Sequence, residues 1–262
     1  MESKPVKSKQ STGVRMVKSA SSSALVRKLF GPSEPEKLML IGFGVLLLIS
    51  SVSLFGLVAH DIMTSDRLTL LDEQIAQWLH LRASVDLTRW MWLISLLHST
   101  TAMIFYTGVI AIVAIRKRQW RGLATLALCV VGGMLLNVLM KLVFHRDRPH
   151  FTDQILTLTS YSFPSGHVAA ATIFYGLGVV WVFLHTRLLR WRVLAVALAA
   201  LAILLVAFSR MLLGVHYLSD VIAAFAEGIA WLVLCLLAMA AFWRKANISP
   251  DRAQSYRSPA PP

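Results

Sequence analysis

Six long stretches of the 262-residue chain consist mainly of apolar residues. A helix needs about 20 mostly apolar residues to cross roughly 30 Å of hydrocarbon. A segment in lipid must also satisfy its own backbone hydrogen bonds, which favours helices over open strands. The pattern therefore predicts an all-α bundle of six transmembrane helices, at residues 38–59, 90–115, 122–144, 168–185, 193–213 and 219–243.

The connection between the first two predicted spans has a helical pattern of its own. Apolar side chains recur three or four residues apart at Leu68, Leu71, Ile75, Trp78 and Leu79. Such a segment is typical of an amphipathic helix. We expect this helix either to lie on the membrane interface or to pack against the other spans, and nothing in it indicates a catalytic role.

Polar segments flank the six spans. Residues 1–37 are basic and rich in serine, and residues 246–262 are polar and rich in proline. Both compositions are typical of disordered tails. The sequence thus predicts a six-span core at residues 38–245 between two tails.

Composition and charge indicate a membrane protein. Hydrophobic residues make up 56% of the chain and charged residues only 15%, whereas soluble domains carry about 25% charged residues. The net charge is +13, but 19 of the 26 Lys and Arg residues lie in residues 1–37, in residues 244–262 and in the loops at 116–121 and 187–192. Because cytoplasmic loops collect these residues, we expect both termini in the cytoplasm. The charge then reports orientation and gives no support for a nucleic-acid partner.

Polar residues concentrate at the span ends that this orientation places at the outer membrane face. They are Lys141 with Arg148 and Pro149, the run from Pro164 through Ser165 and Gly166 to His167, and Ser209 with Arg210, His216 and Asp220. Three cations with few acidic neighbours are costly at a membrane boundary unless an anion binds. Lys and Arg can hold a phosphate through charged hydrogen bonds, and the start of a helix offers it free N–H groups. The three groups therefore predict one phosphate-binding cleft.

Two histidines and a carboxylate complete the candidate chemistry. A neutral imidazole can attack phosphorus, and a carboxylate on its other ring nitrogen fixes the tautomer. His216 and Asp220 are four residues apart, within reach of each other across one turn. His167 is then the candidate acid for the leaving oxygen and the candidate base for water.

These residues resemble those of the lipid phosphate phosphatase superfamily, the type-two phosphatidic acid phosphatases that share their site with vanadium haloperoxidases. The family motifs are Lys and Arg-Pro separated by six residues, Pro-Ser-Gly-His, and Ser-Arg separated by five residues from a His that is separated by three more from an Asp. The chain matches all three. The resemblance implies a phosphohistidine on His216, assisted by Asp220 and His167. It also implies that no metal or other cofactor is used and that the phosphate contacts come from Lys141, Arg148, Ser165, Gly166 and Arg210.

The resemblance further implies an integral membrane phosphatase that acts on a lipid phosphate or diphosphate at the outer membrane face. Small six-span members of the family often act on undecaprenyl diphosphate, and we expect that substrate here. Phosphatidylglycerophosphate and phosphatidate are alternatives, and so is transfer of the phosphoryl group to a lipid acceptor. A transporter is a further alternative, but it predicts polar residues throughout the membrane depth rather than at one level. The sequence does not indicate the oligomeric state.

Several other polar residues lie in or beside the spans. Glu227 follows the last motif by seven residues, nearly on the same helix face, and we hypothesise that it supports the site from below. His98 and Asn137 are expected to form hydrogen bonds between helices. For His145, Asp147 and His150, we favour exposure to water in the loop over a role in selecting the headgroup of the lipid substrate.

Overall fold

The computed structural model describes residues 34–64 and 66–247, and these residues form helices and loops without strands. Eight α-helices occur in these ranges. They are α1 (Glu34–Thr64), α2 (Asp66–His80), α3 (Val85–Leu97), α4 (Thr100–Arg116), α5 (Trp120–Phe144), α6 (Gly166–His185), α7 (Leu189–Leu212) and α8 (Leu218–Asn247). The all-α prediction is confirmed. The predicted tails lie outside the described residues except at 34–37 and 246–247.

Five of these helices, α1, α5, α6, α7 and α8, are long and apolar enough to cross a membrane. Helices α3 and α4 together make a sixth span if the pair counts as one, with a bend of 43° between them. The protein is therefore an integral membrane protein with a helical bundle. Its described helices account for the six spans that the sequence predicts.

The predicted second span, at 90–115, is not one continuous helix, which corrects the sequence prediction. Helix α3 ends at Leu97 and α4 begins at Thr100. Between them, Ser99 has extended backbone angles, and its hydroxyl accepts a hydrogen bond from the backbone N–H of Ala102 at 3.3 Å. Serine side chains compete in this way for backbone groups that would otherwise continue a helix. Ser99 therefore starts a new helix inside the apolar stretch.

The described residues fall into two units, one at 34–43 and the other at 44–64 and 66–247. The described part of the first unit is the beginning of α1, from Glu34 onward. Every contact discussed below lies within the second unit.

Helix α6 packs against α5, α7 and α8 in the second unit. Its buried face is built from small side chains, among them Ala169, Ala171 and Thr172. A Cβ atom added at Gly228 of α8 would come within 2.8 Å of the Thr172 Cβ. Small residues let membrane helices approach closely and gain van der Waals contact. This packing holds α6 and α8 side by side.

Helix α2 combines the two arrangements expected for the amphipathic segment. One face, with Asp72, Ala76 and Leu79, is buried, while Leu71 and Trp78 are exposed. The helix contacts both α7 and α8. It therefore packs against the spans and still presents apolar side chains on its outer side.

Four helix termini meet at one end of the bundle, where α5 and α7 end and α6 and α8 begin. The backbone N–H of Ser165, just before α6, donates to the carbonyl of Asp220 on α8 at 3.1 Å. The loop from α5 to α6 is fastened by a hydrogen bond from the Ser162 N–H to the Arg146 carbonyl at 2.8 Å. The three sequence motifs lie at these termini, so this end of the bundle contains the candidate site.

Candidate active site

A cavity of about 380 Å³ lies among these helix termini. Six of the eight predicted site residues line it, and they are Lys141, Arg148, Gly166, His167, Arg210 and His216. The other two, Ser165 and Asp220, are fully buried and adjoin lining residues. The structure thus brings all three motifs together in one place.

His216 lies in the short connection between α7 and α8 and is buried. Its Nδ1 lies 3.4 Å from Oδ2 of Asp220, and its Nε2 lies 3.3 Å from Nη1 of Arg148. An arginine can only donate, so both contacts are satisfied by a neutral ring that carries its proton on Nδ1. Burial lowers the pKa of His216 well below its ordinary value, and the charges of Arg210, Arg148 and Lys141 lower it further. The lone pair of a neutral imidazole is therefore on Nε2, at the cavity.

Asp220, in the first turn of α8, supports this arrangement from behind. Its Oδ2 also accepts the backbone N–H of Tyr217 at 3.0 Å, and its Oδ1 accepts a hydrogen bond from Nη1 of Arg146 at 2.7 Å. A carboxylate that accepts from a backbone N–H at a helix start is held in a fixed orientation. Asp220 is thus fixed on both oxygens beside the His216 ring.

Two buried hydrogen-bond donors beside the cavity lack partners in the part of the chain that the structure describes, one on α7 and one just before α6. The side chain of Arg210 is 2% exposed, and its Nη1 donates to the hydroxyl of Ser95 on α3. Among the described residues, neither Nε of Arg210 nor the Ser165 hydroxyl has a hydrogen-bond partner. The start of α6 at Gly166 adds backbone N–H groups that lack partners within the helix. Such donors at a helix N-terminus favour an anion.

Gly166 also brings the backbone close to its surroundings. A Cβ atom at this position would lie 3.1 Å from Oδ1 of Asn137. A larger residue would therefore press against Asn137. The glycine keeps the start of α6 accessible from the cavity.

The other two predicted cations also organise the loop between α5 and α6. The Nζ of Lys141 donates to the carbonyls of Tyr161 at 2.7 Å and Ser162 at 3.3 Å. Arg148 donates from Nε to the Ser160 carbonyl at 2.7 Å and from Nη2 to the Tyr161 carbonyl at 3.0 Å. Burial lowers the pKa of Arg148, but a guanidinium stays charged at neutral pH. The two cations line the cavity, and these hydrogen bonds also fix the loop between α5 and α6.

His167 lies in the first turn of α6 and lines the same cavity as His216. The two imidazoles thus reach the cavity from different segments, the start of α6 and the connection between α7 and α8. Within residues 34–64 and 66–247, no group of three or more His, Cys, Asp or Glu side chains is arranged to hold a metal ion.

Sequence reasoning missed two charged residues beside the site. Arg146 donates from Nη2 to Oδ2 of Asp72 at 2.8 Å and so connects α2 with Asp220. Burial opposes the charge, yet the carboxylates of Asp220 and Asp72 raise the pKa of Arg146 above its ordinary value. A signal was present, because Asp72 lies one turn from Leu68 and Ala76 on the apolar side of α2. An acidic residue at such a position indicates a buried partner.

Glu227 is connected to the site through Asn137. The side-chain amide of Asn137 donates to Oε2 of Glu227 at 2.9 Å and makes a longer contact of 3.5 Å with the Pro164 carbonyl. Pro164 belongs to the second motif, so the contacts agree with the hypothesis that Glu227 supports the site from below. Its effect on activity stays a prediction.

The remaining polar residues behave as the sequence suggests. His98 Nε2 lies 2.7 Å from the Tyr175 hydroxyl of α6, which confirms the expected hydrogen bond between helices. Three residues beside the first motif are exposed and do not line the cavity; they are His145, Asp147 and His150.

Comparisons with known proteins agree with this fold and these motifs. Residues 122–244 match the model of the PAP2 superfamily. Phosphatidylglycerophosphatase B of Bacillus subtilis (strain 168) is 34% identical over 115 residues, which cover 43% of this chain and 55% of the relative. The chain thus aligns with about half the length of that curated relative.

Two solved structures are similar to this one. The first is a transmembrane PAP2-type phosphatidylglycerolphosphate phosphatase from Bacillus subtilis, with a TM-score of 0.66 and 27% identity, covering 76% of this chain and 96% of that one. The second is LpxE of Aquifex aeolicus, with a TM-score of 0.51 and 20% identity, covering 63% of this chain and 94% of that one. The second similarity concerns the fold alone.

The fold and the site therefore define a helical integral membrane protein whose three motifs gather around one cavity. Residues 122–244, which match the PAP2 superfamily, contain all three motifs.

Proposed function

We propose that this protein hydrolyses a lipid phosphate or diphosphate through a phosphohistidine intermediate on His216. The observation that carries this proposal is the position of His216 Nε2. His216 lines the cavity together with the cations Lys141, Arg148 and Arg210, and its Nε2 is the ring nitrogen turned away from Asp220, which contacts Nδ1. A neutral imidazole in this setting is a nucleophile with its developing positive charge already matched.

The first chemical step forms a bond between Nε2 of His216 and phosphorus. The bond from phosphorus to the lipid oxygen breaks, and His167 gives a proton to that oxygen. Charge on the three equatorial phosphoryl oxygens is stabilised by positioned donors, which Lys141, Arg148 and Arg210 supply. Asp220 stabilises the positive ring of the phosphohistidine.

The second step returns the protein to its starting state. His167 takes a proton from a water molecule, whose oxygen attacks phosphorus. The bond from phosphorus to Nε2 then breaks, its electron pair returns to His216, and inorganic phosphate leaves. The same histidine thus acts first as acid and then as base, as reversibility requires.

The lining of the cavity supports a lipid substrate. The lining of the cavity also includes the apolar side chains Met103, Val138, Ile173 and Phe174 of α4, α5 and α6. These helices belong to membrane spans. A phosphate at the charged end can therefore be bound while an attached hydrocarbon chain stays among apolar side chains.

Two candidate substrates are supported by different observations. Undecaprenyl diphosphate is the substrate predicted from the resemblance, with undecaprenyl phosphate and phosphate as products. Phosphatidylglycerophosphate is favoured by the names of the two Bacillus subtilis relatives. The first substrate requires cleavage of a phosphoanhydride and the second of a phosphomonoester, and both use the same nucleophile.

The site is proposed to face the outer side of the membrane, with both termini in the cytoplasm. The basic loop at 116–121 connects α4 to α5, and the one at 187–192 connects α6 to α7, so both lie at the ends of α5, α6 and α7 opposite to those that carry the motifs. By the positive-inside rule these loops are cytoplasmic. A tag at the C-terminus that reacts with an impermeant label in intact cells would reverse this topology.

The decisive experiment measures phosphate release by the purified protein in detergent, in the presence of a chelator. Undecaprenyl diphosphate, phosphatidylglycerophosphate and phosphatidate are supplied separately. We expect release from at least one lipid by the wild type, none by His216→Ala, and normal release by His150→Ala, whose side chain is exposed outside the cavity. Equal release by the wild type and His216→Ala would overturn the nucleophile, and strict dependence on added divalent metal would overturn the metal-free mechanism.

A further inference from the structure

A chain of buried polar contacts runs from α2 to Asp220. It begins at Asp72, which is 1% exposed and lies outside the part of the chain that matches the family model. It continues through Arg146, in the loop after α5, and reaches Ser219 and Asp220 at the start of α8.

Each group in this chain has a defined partner. Nη1 of Arg146 donates to Oδ1 of Asp220 at 2.7 Å and to the Ser219 hydroxyl at 2.6 Å. Nη2 donates to Oδ2 of Asp72 at 2.8 Å. Oδ1 of Asp72 accepts the backbone N–H of Ser219 at 3.0 Å, and the Ser219 hydroxyl also donates to Asp72. Arg146 further lies 4.4 Å above the Tyr217 ring.

These contacts decide which oxygen of Asp220 faces the histidine. Arg146 binds Oδ1, so Oδ2 is left for the Tyr217 N–H and for Nδ1 of His216. Rotation of the Asp220 carboxylate would break the contact with Arg146. Asp72 in turn fixes Arg146, because it binds the other terminal nitrogen of the guanidinium. A guanidinium held by two carboxylates in this way is pre-organised.

Neither Asp72 nor Arg146 lines the cavity, and neither does Asp220. The phosphate contacts come from other residues. A change at Asp72 or Arg146 should therefore alter the orientation of His216 without removing a contact to the substrate.

We propose that Asp72 and Arg146 are positioning residues for the Asp220–His216 pair, an inference that rests on the proposed function. Asp72 orients Arg146, Arg146 orients the carboxylate of Asp220, and Asp220 holds the proton on Nδ1 of His216. Helix α2, which carries no motif of the family, thereby becomes part of the active site.

The test begins with conservative variants and steady-state kinetics. Arg146→Lys keeps the positive charge but cannot span both carboxylates, and we expect kcat to fall about 10²-fold with KM unchanged, the scale of a misplaced reacting group. Asp72→Asn keeps an acceptor for the Ser219 N–H and should lower kcat by about tenfold. Glu73→Gln, at the neighbouring exposed position of α2, is the matched control and should leave both constants unchanged.

The double variant separates positioning from simple stabilisation. If Asp72 acts through Arg146, adding Asp72→Asn to Arg146→Lys should lower kcat no further. The proposal would be overturned if the kcat losses of the two single variants multiplied in the double variant. Unchanged kcat in the single variants would also overturn it, as would a loss of kcat/KM that comes from a rise in KM alone. Ser219→Ala removes a milder contact of the same network and serves if Arg146→Lys does not fold.

A second measurement does not depend on turnover. Nitrogen NMR of histidine-labelled protein, with the His216 signals identified by their loss in His216→Ala, reports which ring nitrogen carries the proton. We expect the wild type to hold the proton on Nδ1 and Arg146→Lys to populate both tautomers. An identical tautomer in the two proteins would overturn the positioning role even if no lipid proved to be a substrate. A wild type without phosphatase activity but with the expected tautomer change would overturn only the proposed function.

Discussion

Ser95 of α3 accepts a hydrogen bond from Nη1 of Arg210, so a residue outside the three motifs holds the guanidinium at the end of α7. Both side chains are buried. The Nε of the same guanidinium has no partner among the described residues, and Arg210 lines the cavity. Ser95 therefore fixes one side of the guanidinium and leaves another side for an anion.

We expect Ser95→Ala to weaken the binding of the lipid phosphate. Without the acceptor the guanidinium can rotate away from the cavity, and KM should rise about tenfold, equivalent to roughly 1.4 kcal/mol, with a smaller effect on kcat. Steady-state kinetics in detergent measures both constants. Ser51→Ala in α1, an equally buried serine, is the control and should leave KM unchanged. Equal effects of the two substitutions would show that Ser95 has no specific part in binding.

Glu227→Leu should lower both the melting temperature and the rate of phosphate release. The substitution removes the acceptor of Asn137 and leaves the amide with the 3.5 Å contact to Pro164. An unsatisfied buried donor costs about 1–3 kcal/mol. Glu227→Gln keeps an acceptor oxygen and should retain more of both properties. Thermal unfolding in detergent and the release assay check this, and a Glu227→Leu protein that matches the wild type in both would end the supporting role.

The three motifs could be placed from the sequence because each one is short and lies at the end of an apolar span. The spacing of His216 and Asp220 alone predicts that their side chains approach across one turn. The contact between Asp72 and Arg146 joins residues 74 positions apart. No spacing rule relates residues at that separation, so the fold has to be known before this pair is seen.

The break at Ser99 illustrates a different limit. Apolar content predicts that a stretch is buried in lipid, but it does not predict where one helix stops and another starts. Ser99 decides this through a local hydrogen bond to the Ala102 N–H. The consequence reaches the site, because His98 at the break lines the cavity and pairs with Tyr175.

The stability of the protein should decrease in acid partly because of His216. Burial and the neighbouring cations lower its pKa in the folded protein below the ordinary value of 6.5. A folded state that favours the neutral ring loses stability as the pH falls below the unfolded pKa, and the contribution is fully present above it. The melting temperature of the wild type should therefore fall more between pH 7.5 and pH 5 than that of His216→Asn, which does not titrate there. Parallel curves for the two proteins would contradict this prediction.

Gly214 should be required for the placement of His216 two residues later. Its φ is +70°, and a Cβ atom would lie 3.0 Å from the Phe151 ring. That ring is stacked on His80 at 4.1 Å, which limits its movement. A left-handed conformation costs a non-glycine residue roughly 1–2 kcal/mol.

We expect Gly214→Ala to lower the melting temperature and to reduce kcat by about 10²-fold, because a displacement of the nucleophile by about 1 Å has that effect. Gly56→Ala is the matched control, since Gly56 lies inside α1 and a Cβ atom there meets nothing within 4 Å among the described residues. That substitution should leave kcat unchanged and slightly raise stability, because alanine is the better helix former. Thermal unfolding and kinetics of the two alanine variants, run side by side, test the prediction. Wild-type kcat in Gly214→Ala would mean that the turn does not set the position of His216.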